Sequence, residues 1–442
     1  MPNFVVINNK INPYNKKIFV DGDKSISIRW ALLASQAIGK SKALNLPASE
    51  DISSTISCLK KLGIKVIKKN ERCEIYGNGI NGFKYKDNIT IDAGNSGTCG
   101  RLILGLLVAA KKKVRLIGDE SLSTRDFSRV TLPLRKFGAR ILPPNKQNLP
   151  ISIIGSSFTK PINYIEKIGS AQCKSSVMLA ALNAPGKTII KAKKSRNHTE
   201  LFFKNIKIPI KIKKIGAYDL IEIAGKKNFN SFDYNIPGDI SSSAFFIVLT
   251  LMSKNSKLII KNVNVNPTRI GCINILNKMR AGIKIRNKKN YKGEVLGDIY
   301  VKSKKKLKAI NCPTNLNSSA IDEFLIIFLV ASKATGVSSF KNISELNKKE
   351  SPRLKIASKI LNKIGIKTNL LSDSIKIYGN PNLKLSKKII IKNFMKDHRI
   401  FMMSTIAALS FGGEWKIYNK SCINTSFPSF MKIAKKLGAK IN

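Results

Sequence analysis

One phrase recurs six times along the chain: a helix-spaced apolar segment, a glycine or a stand-in for it, then an alternating strand. In the first copy Ile52, Ile56, Leu59 and Leu62 share a helix face. Gly63 follows at the position where a left-handed residue ends a helix, and Ile64 and Val66 begin the strand. LRKFGARI (134–141), ILNKIGIKT (360–368) and AKKLGAKI (434–441) repeat it around Gly138, Gly365 and Gly438. FFKNIKIPIKI (202–212) and LNKMRAGIKI (276–285) are degenerate copies, with Ile206 or a neighbour and Arg280 in the glycine's place. The copies lie about 70 to 85 residues apart, beyond the solenoid range of roughly 20 to 50 residues. Each unit must therefore hold several strands and two helices, which predicts a two-domain α/β protein with three units per domain. The last copy stops at Asn442 as its strand begins, so FVVIN and KIFV near the N-terminus are expected to complete that sheet. The chain is expected to cross again at IPGDISSSAFF (236–246), where Pro-Gly breaks it and Asp239 or Ser241 can cap the next helix. The expected domains are thus 22–237 and 1–21 plus 238–442.

A chain of 442 residues with 43% hydrophobic content can bury a large core. Its 79 Lys and Arg against 26 Asp and Glu give a formal charge of +53, a field that attracts anions. The lysines are scattered as KK and KKK pieces among Ile and Asn, and aromatics make up only 7%. This is unlike the basic, aromatic-interleaved faces of single-strand nucleic-acid readers. A nucleic-acid-binding protein is the competing reading from another class, and steep salt-dependent retention on DNA would favour it. Seven cysteines without a CxxC pair, and two histidines, supply neither a disulfide framework nor a metal site. No metal or cofactor is expected, and the compartment is expected to be the cytoplasm. MPNFVVINNK lacks the apolar core of a signal peptide, and runs such as LILGLLVAA (102–110) are too short to cross a bilayer.

Several short motifs carry chemistry suited to anions. DKSISIR (23–29) places Lys24, Ser25 and Arg29 together, and AGNSGTCGRL (93–102) and GSAQCKSS (169–176) open apolar helices whose N-termini can hold anions. GDESLSTRDFSR (118–129) supplies Arg125, and SRNHTE (195–200) supplies Arg196 beside His198, a structural histidine by default. SSAIDEF (318–324) brings Asp322, KKESPR (348–353) brings Lys349, Glu350 and Arg353, and KDHRIFM (396–402) brings Arg399. Each alone is also what a solvated face or a capped helix looks like; their number argues for one anionic task.

These motifs, over essentially the whole length, resemble the 5-enolpyruvylshikimate-3-phosphate synthases. The resemblance implies an inside-out α/β barrel fold of the enolpyruvyl transferase type: two domains, three βαβαββ units in each, helices inside, and an active site in the interdomain cleft. It implies transfer of the enolpyruvyl group of phosphoenolpyruvate to the 5-hydroxyl of shikimate 3-phosphate, through a tetrahedral intermediate with loss of phosphate. Asp322, Glu350 and Lys24 are implied as catalytic groups. Lys24, Ser25, Arg29, Ser170, Ala171, Gln172, Arg196, Asp322 and Lys349 are implied to bind shikimate 3-phosphate. Lys24, Gly97, Arg125, Gln172, Arg353 and Arg399 are implied for phosphoenolpyruvate. The partners are these small molecules, with no membrane, no nucleic acid and a monomeric state expected.

The chain departs from the family pattern at Asp126, where Pro is usual, and at Pro352, where Asp is usual. Thr425 stands where many relatives carry Lys, which resembles the subgroup tolerant of glyphosate, yet tolerant members carry Ala at the position of Gly97. The related UDP-N-acetylglucosamine enolpyruvyl transferases carry a cysteine in the loop that corresponds to 118–129, and this chain has none there. Two phosphates and two carboxylates bring roughly −5 to −6 charges. Lys24, Arg29, Arg125, Arg196, Lys349, Arg353 and Arg399 answer them, offset by Asp322 and Glu350.

Overall fold

The computed structural model describes residues 3–385 and 387–442, and residues 1–2 of the segment 1–21 lie outside it. Its strands form six separate sheets of three or four strands. In the second repeat Ile89–Asp92 runs parallel to Val114–Ile117, which pairs antiparallel with Ile151–Ile154, which pairs antiparallel with Arg140–Leu142. Helices Gly97–Leu106 and Ser128–Lys136 fill the connections, giving βαβαββ.

The residue after each repeat's outer helix adopts the left-handed conformation the sequence pattern requires. Gly63, Gly138, Gly365 and Gly438 have φ between 82° and 105°. In the degenerate copies Lys207 (φ 60°) and Arg280 (φ 67°) take that role, so Lys207, the neighbour of Ile206, is the stand-in. Non-glycine residues there cost about 1 kcal/mol each, which the surrounding packing offsets.

The inner helices explain where the core lies. All thirteen residues of Ile240–Met252 and all fourteen of His398–Phe411 are buried, as are nine residues each of Lys24–Ala34, Gly97–Leu106, Ala171–Ala181 and Phe324–Lys333. A helix apolar all round must be enclosed by other elements. The second helix of a repeat, such as Glu50–Lys61, instead alternates buried Ile52, Ile56 and Leu59 with exposed polar residues. Helices therefore sit inside and sheets outside, the inside-out α/β arrangement. Among the described residues no helix is long and apolar enough to cross a membrane.

The chain divides into two compact units, one comprising Gly22–Ile236 with Tyr291–Glu294, the other residues up to Asp21 with Pro237–Asn290 and Val295–Asn442. Each has its own apolar core. The N-terminal strands behave differently from one another. Phe4–Ile7 pairs with Trp415–Tyr418 in the last sheet, and Val6 exchanges backbone hydrogen bonds of 2.9 and 3.1 Å with Asn442. KIFV was expected in that same sheet, but the strand is Asn15–Ile18 and it runs parallel to Lys257–Asn264 in the fourth sheet. The last sheet is already complete: Ile389–Ile391 covers one side of Trp415–Tyr418 and Phe4–Ile7 the other.

Candidate active site

Burying a helix on all sides leaves its first N–H groups in need of acceptors, and this sets the chemistry at the helix starts. Asp23 accepts from Ile26 N, Ser96 from Cys99 N, Ser170 from Cys173 N, Asp239 from Ser241 N and Asp397 from Arg399 N. The polar residues indicated by the motifs follow or precede these caps, where the helix dipole favours negative charge.

In the unit built on Gly22–Ile236, Lys24 Nζ lies 2.6 Å from Asp51 Oδ2 at the start of helix Glu50–Lys61. Asp51 is a partner the sequence reading missed; 27 residues separate it from Lys24, and only the packing of one helix on the next joins them. Ser25 is half-buried in the same first turn, and its carbonyl accepts from Arg29 Nη1 at 3.0 Å. Arg29 is 4% exposed and also donates to Thr199 Oγ1 (2.9 Å) and Ser175 Oγ (3.1 Å).

Gly97 opens its helix beneath two guanidinium groups. A methyl there would meet Arg101 Nη1 at 3.0 Å and Arg125 Nη1 at 3.1 Å. Arg125 is held by Asn95 Oδ1 (3.1 Å) and Ser121 Oγ (3.2 Å). Gln172 receives Arg101 Nη1 at 2.8 Å and donates to Thr98 Oγ1 at 3.0 Å, linking two helix starts. Arg101 was not among the sequence-derived residues, although its place one turn after Gly97 was a signal for it. Burial, reinforced by the charges of Arg125 and Arg129, pushes its guanidinium down to about 10. Asp126 proves compatible with the loop: its Oδ1 accepts from Ser128 N at 2.7 Å and from Ser128 Oγ at 2.5 Å, and its carbonyl accepts from Arg101.

Ser170 spends its hydroxyl as a helix cap, with Ala171 and Gln172 next in the turn. Arg196 is half-buried just before helix His198–Asn205. His198 is fully buried with Nδ1 2.5 Å from Glu294 Oε1, but among the described residues its Nε2 has no hydrogen-bond partner, so it is a buried histidine bonded on one nitrogen and not the satisfied one expected.

In the other unit, Asp322 Oδ1 stands 3.2 Å from Lys349 Nζ and 3.8 Å from Arg353 Nη1. Its carbonyl accepts from Arg399 Nη1 at 2.7 Å, so Asp322 and Arg399 are fixed to one another. Arg353 is 1% exposed, binding Asp397 through Nε (2.8 Å) and Nη2 (3.2 Å), with Glu350 Oε2 2.5 Å from Nη2. Burial alone would push this guanidinium down, but Asp397, Glu350 and Asp322 outweigh it and raise it above its ordinary value. Pro352 occupies the cap position of helix Arg353–Lys363 with φ −70°, a place where its fixed φ suits a helix start. His398 Nδ1 lies 3.3 Å from Thr425 Oγ1. Beneath them Arg269, 1% exposed, donates to Ser241 Oγ (2.8 Å) and Asp239 Oδ1 (3.3 Å), and Ser241 in turn bonds Glu323.

The expected charge balance needs correction. Asp51, Asp397 and Glu323 join Asp322 and Glu350 as anions beside the expected cations. Low-dielectric burial makes such pairing necessary, because an isolated buried charge is expensive.

Six sheets of three or four strands around buried helices, with cations and carboxylates at the helix starts, define an enolpyruvyl transferase fold. The enolpyruvyl transferase NikO from Streptomyces tendae has the same fold, with a TM-score of 0.76 at 12% identity over 99% of this chain and 98% of that one. The family profile described as EPSP synthase (3-phosphoshikimate 1-carboxyvinyltransferase) matches residues 8–433. A 3-phosphoshikimate 1-carboxyvinyltransferase of Ruthia magnifica subsp. Calyptogena magnifica is 40% identical over 424 residues, 96% of this chain and 95% of the relative. One from Bacillus cytotoxicus is 37% identical over 94% and 96% of the two chains. The solved EPSP synthase of Acinetobacter baumannii superposes with a TM-score of 0.86 at 32% identity, covering 99% of each chain. The chain belongs to the EPSP synthase family.

Proposed function

We propose that this enzyme transfers the enolpyruvyl group of phosphoenolpyruvate to the 5-hydroxyl of shikimate 3-phosphate and releases phosphate. The observation that carries this reading is the gathering of two carboxylates, Asp322 and Glu350, on Lys349 and Arg353. Addition across the enol double bond needs a base for the hydroxyl and an acid for the methylene carbon, and elimination reverses both transfers. Asp322, bordered by two cations, is the base; Glu350 is the acid. A phosphoenolpyruvate carboxylate arriving at Arg353 competes with Glu350 for Nη2, which frees Glu350 to take up the proton it must deliver. Lys24, held by Asp51, places a compact charge at the bridging oxygen of the leaving phosphate.

Arg29, Ser25, Ser170, Ala171, Gln172, Arg196 and Lys349 bind shikimate 3-phosphate in this reading, and Gly97, Arg125, Gln172, Arg353 and Arg399 bind phosphoenolpyruvate. Both groups serve one reaction, carried out by a monomer in the cytoplasm. The test is a coupled phosphate-release assay: release is expected only with both substrates present, and release with neither or only one would refute the reading. Asp322→Asn is expected to lower turnover by about 100-fold or more, with shikimate 3-phosphate affinity changed far less.

Thr425 supports kinship with the glyphosate-tolerant subgroup, but Gly97 sets the inhibitor response. With no methyl between Arg101 and Arg125, glyphosate is expected to compete with phosphoenolpyruvate. Unchanged rates at millimolar glyphosate and low phosphoenolpyruvate would refute this. Gly97→Ala is expected to relieve inhibition and raise the KM for phosphoenolpyruvate, since both guanidinium tips must shift.

A further inference from the structure

Helices Ala171–Ala181 and His198–Asn205 are joined twice at neighbouring positions. Lys174 Nζ meets Glu200 Oε1 at 2.6 Å, the two side chains 0% and 3% exposed. Beside them Ser175 Oγ and Thr199 Oγ1 lie 2.7 Å apart, and both residues are buried. Buried ion pairs add little net stability, and their best-supported use is to fix register. Here the pair fixes the register that brings two hydroxyls together.

Those hydroxyls receive Arg29. Its Nε donates to Thr199 and its Nη2 to Ser175, while Nη1 donates to the Ser25 carbonyl. A guanidinium is a rigid planar fork, so pinning the Nε and Nη2 edge fixes the direction of the whole group. These three contacts fix the orientation of Arg29.

We infer that Thr199 and Ser175 are positioning residues that aim Arg29 at shikimate 3-phosphate, with the Lys174–Glu200 pair setting their register. This rests on the function proposed above. Thr199→Val keeps the side chain's shape and removes the acceptor; Thr199→Ser restores it.

The experiment is steady-state phosphate release with each substrate varied at saturating amounts of the other. Thr199→Val is expected to raise the KM for shikimate 3-phosphate about 10-fold, leaving that for phosphoenolpyruvate within about twofold. Thr199→Ser should return the first value to within about twofold of the parent. Ser175→Ala should act in the same direction as Thr199→Val, and serves if the valine variant does not fold. An unchanged KM for shikimate 3-phosphate, a parallel rise in both KM values, or a serine variant as impaired as the valine one would overturn the inference alone. A parent enzyme that releases no phosphate from the two substrates together would overturn the functional reading and this inference with it.

Discussion

At the scale of single residues, Asp397 bears the most weight: it caps a buried helix, accepts from Ser351 Oγ at 2.9 Å and holds the Nε and Nη2 edge of Arg353. Burial alone would push its carboxyl up, but the charge of Arg353, helped by His398, overrides this and holds it below the ordinary 3.8. A carboxyl lowered on folding stabilises the protein at pH values above its unfolded value and loses that contribution as pH falls through the folded one. Asp397→Asn leaves Arg353 buried against an uncharged amide and is expected to cost about 3 kcal/mol at neutral pH. Denaturant midpoints should show that gap, and it should narrow as the pH drops below 3.8; a gap constant with pH would exclude the ion pair as its cause. At this scale the sequence was legible where a motif carries its own chemistry, as with Lys24, Asp322 and Arg353. It was silent on Asp51, Thr199 and Arg269, because an ordinary acidic first turn, a threonine or a loop arginine gains its meaning only from what another element brings alongside.

At the scale of elements, the helices that carry the site are packed backbone against backbone. A Cβ on Gly105 would lie 2.2 Å from the Ser176 carbonyl oxygen, and Ser176 Oγ donates to the Arg101 carbonyl at 2.8 Å. Gly105→Ala must therefore push helix Gly97–Leu106 away from Ala171–Ala181, and a loss of about 2 to 3 kcal/mol is expected. Because Gly97 and Gln172 sit at the starts of these two helices, the KM for phosphoenolpyruvate should rise as well. A thermal melt and the kinetics of the same sample check both. The repeat was legible from its period and glycines, since a left-handed helix stop leaves a residue-level mark. Strand partnership was not: Asn15–Ile18 has a single buried residue, Ile18, and carries no signature of which sheet it joins.

At the scale of the whole molecule, the charge of +53 surrounds an enzyme whose proposed substrates are both anions. Electrostatic attraction raises encounter rates and is screened by salt. Raising ionic strength from roughly 0.01 to 0.5 M is expected to lower kcat/KM for either substrate about tenfold, with kcat much less affected. Salt-independent kcat/KM would show that the charge does not steer. Charge count was plain from composition, but its distribution around the proposed reacting groups was not: the paired carboxylates Asp51 and Glu323 become visible only when the chain is folded.

The interleaved division of the chain also has a consequence for the order in which it is made. The apolar core of the unit built on Gly22–Ile236 draws its buried residues from positions 26 to 236, so it can leave the ribosome while much of the other unit is still to be made. Phe4–Ile7 was made earlier still, yet its partner begins at Trp415. At about 5 to 20 residues per second, the first strand waits tens of seconds with Val5 and Ile7 unburied. Nascent chains arrested near residue 270 should thus show a protease-resistant core that starts after residue 21, with the leading strand still open to cleavage or to a chaperone.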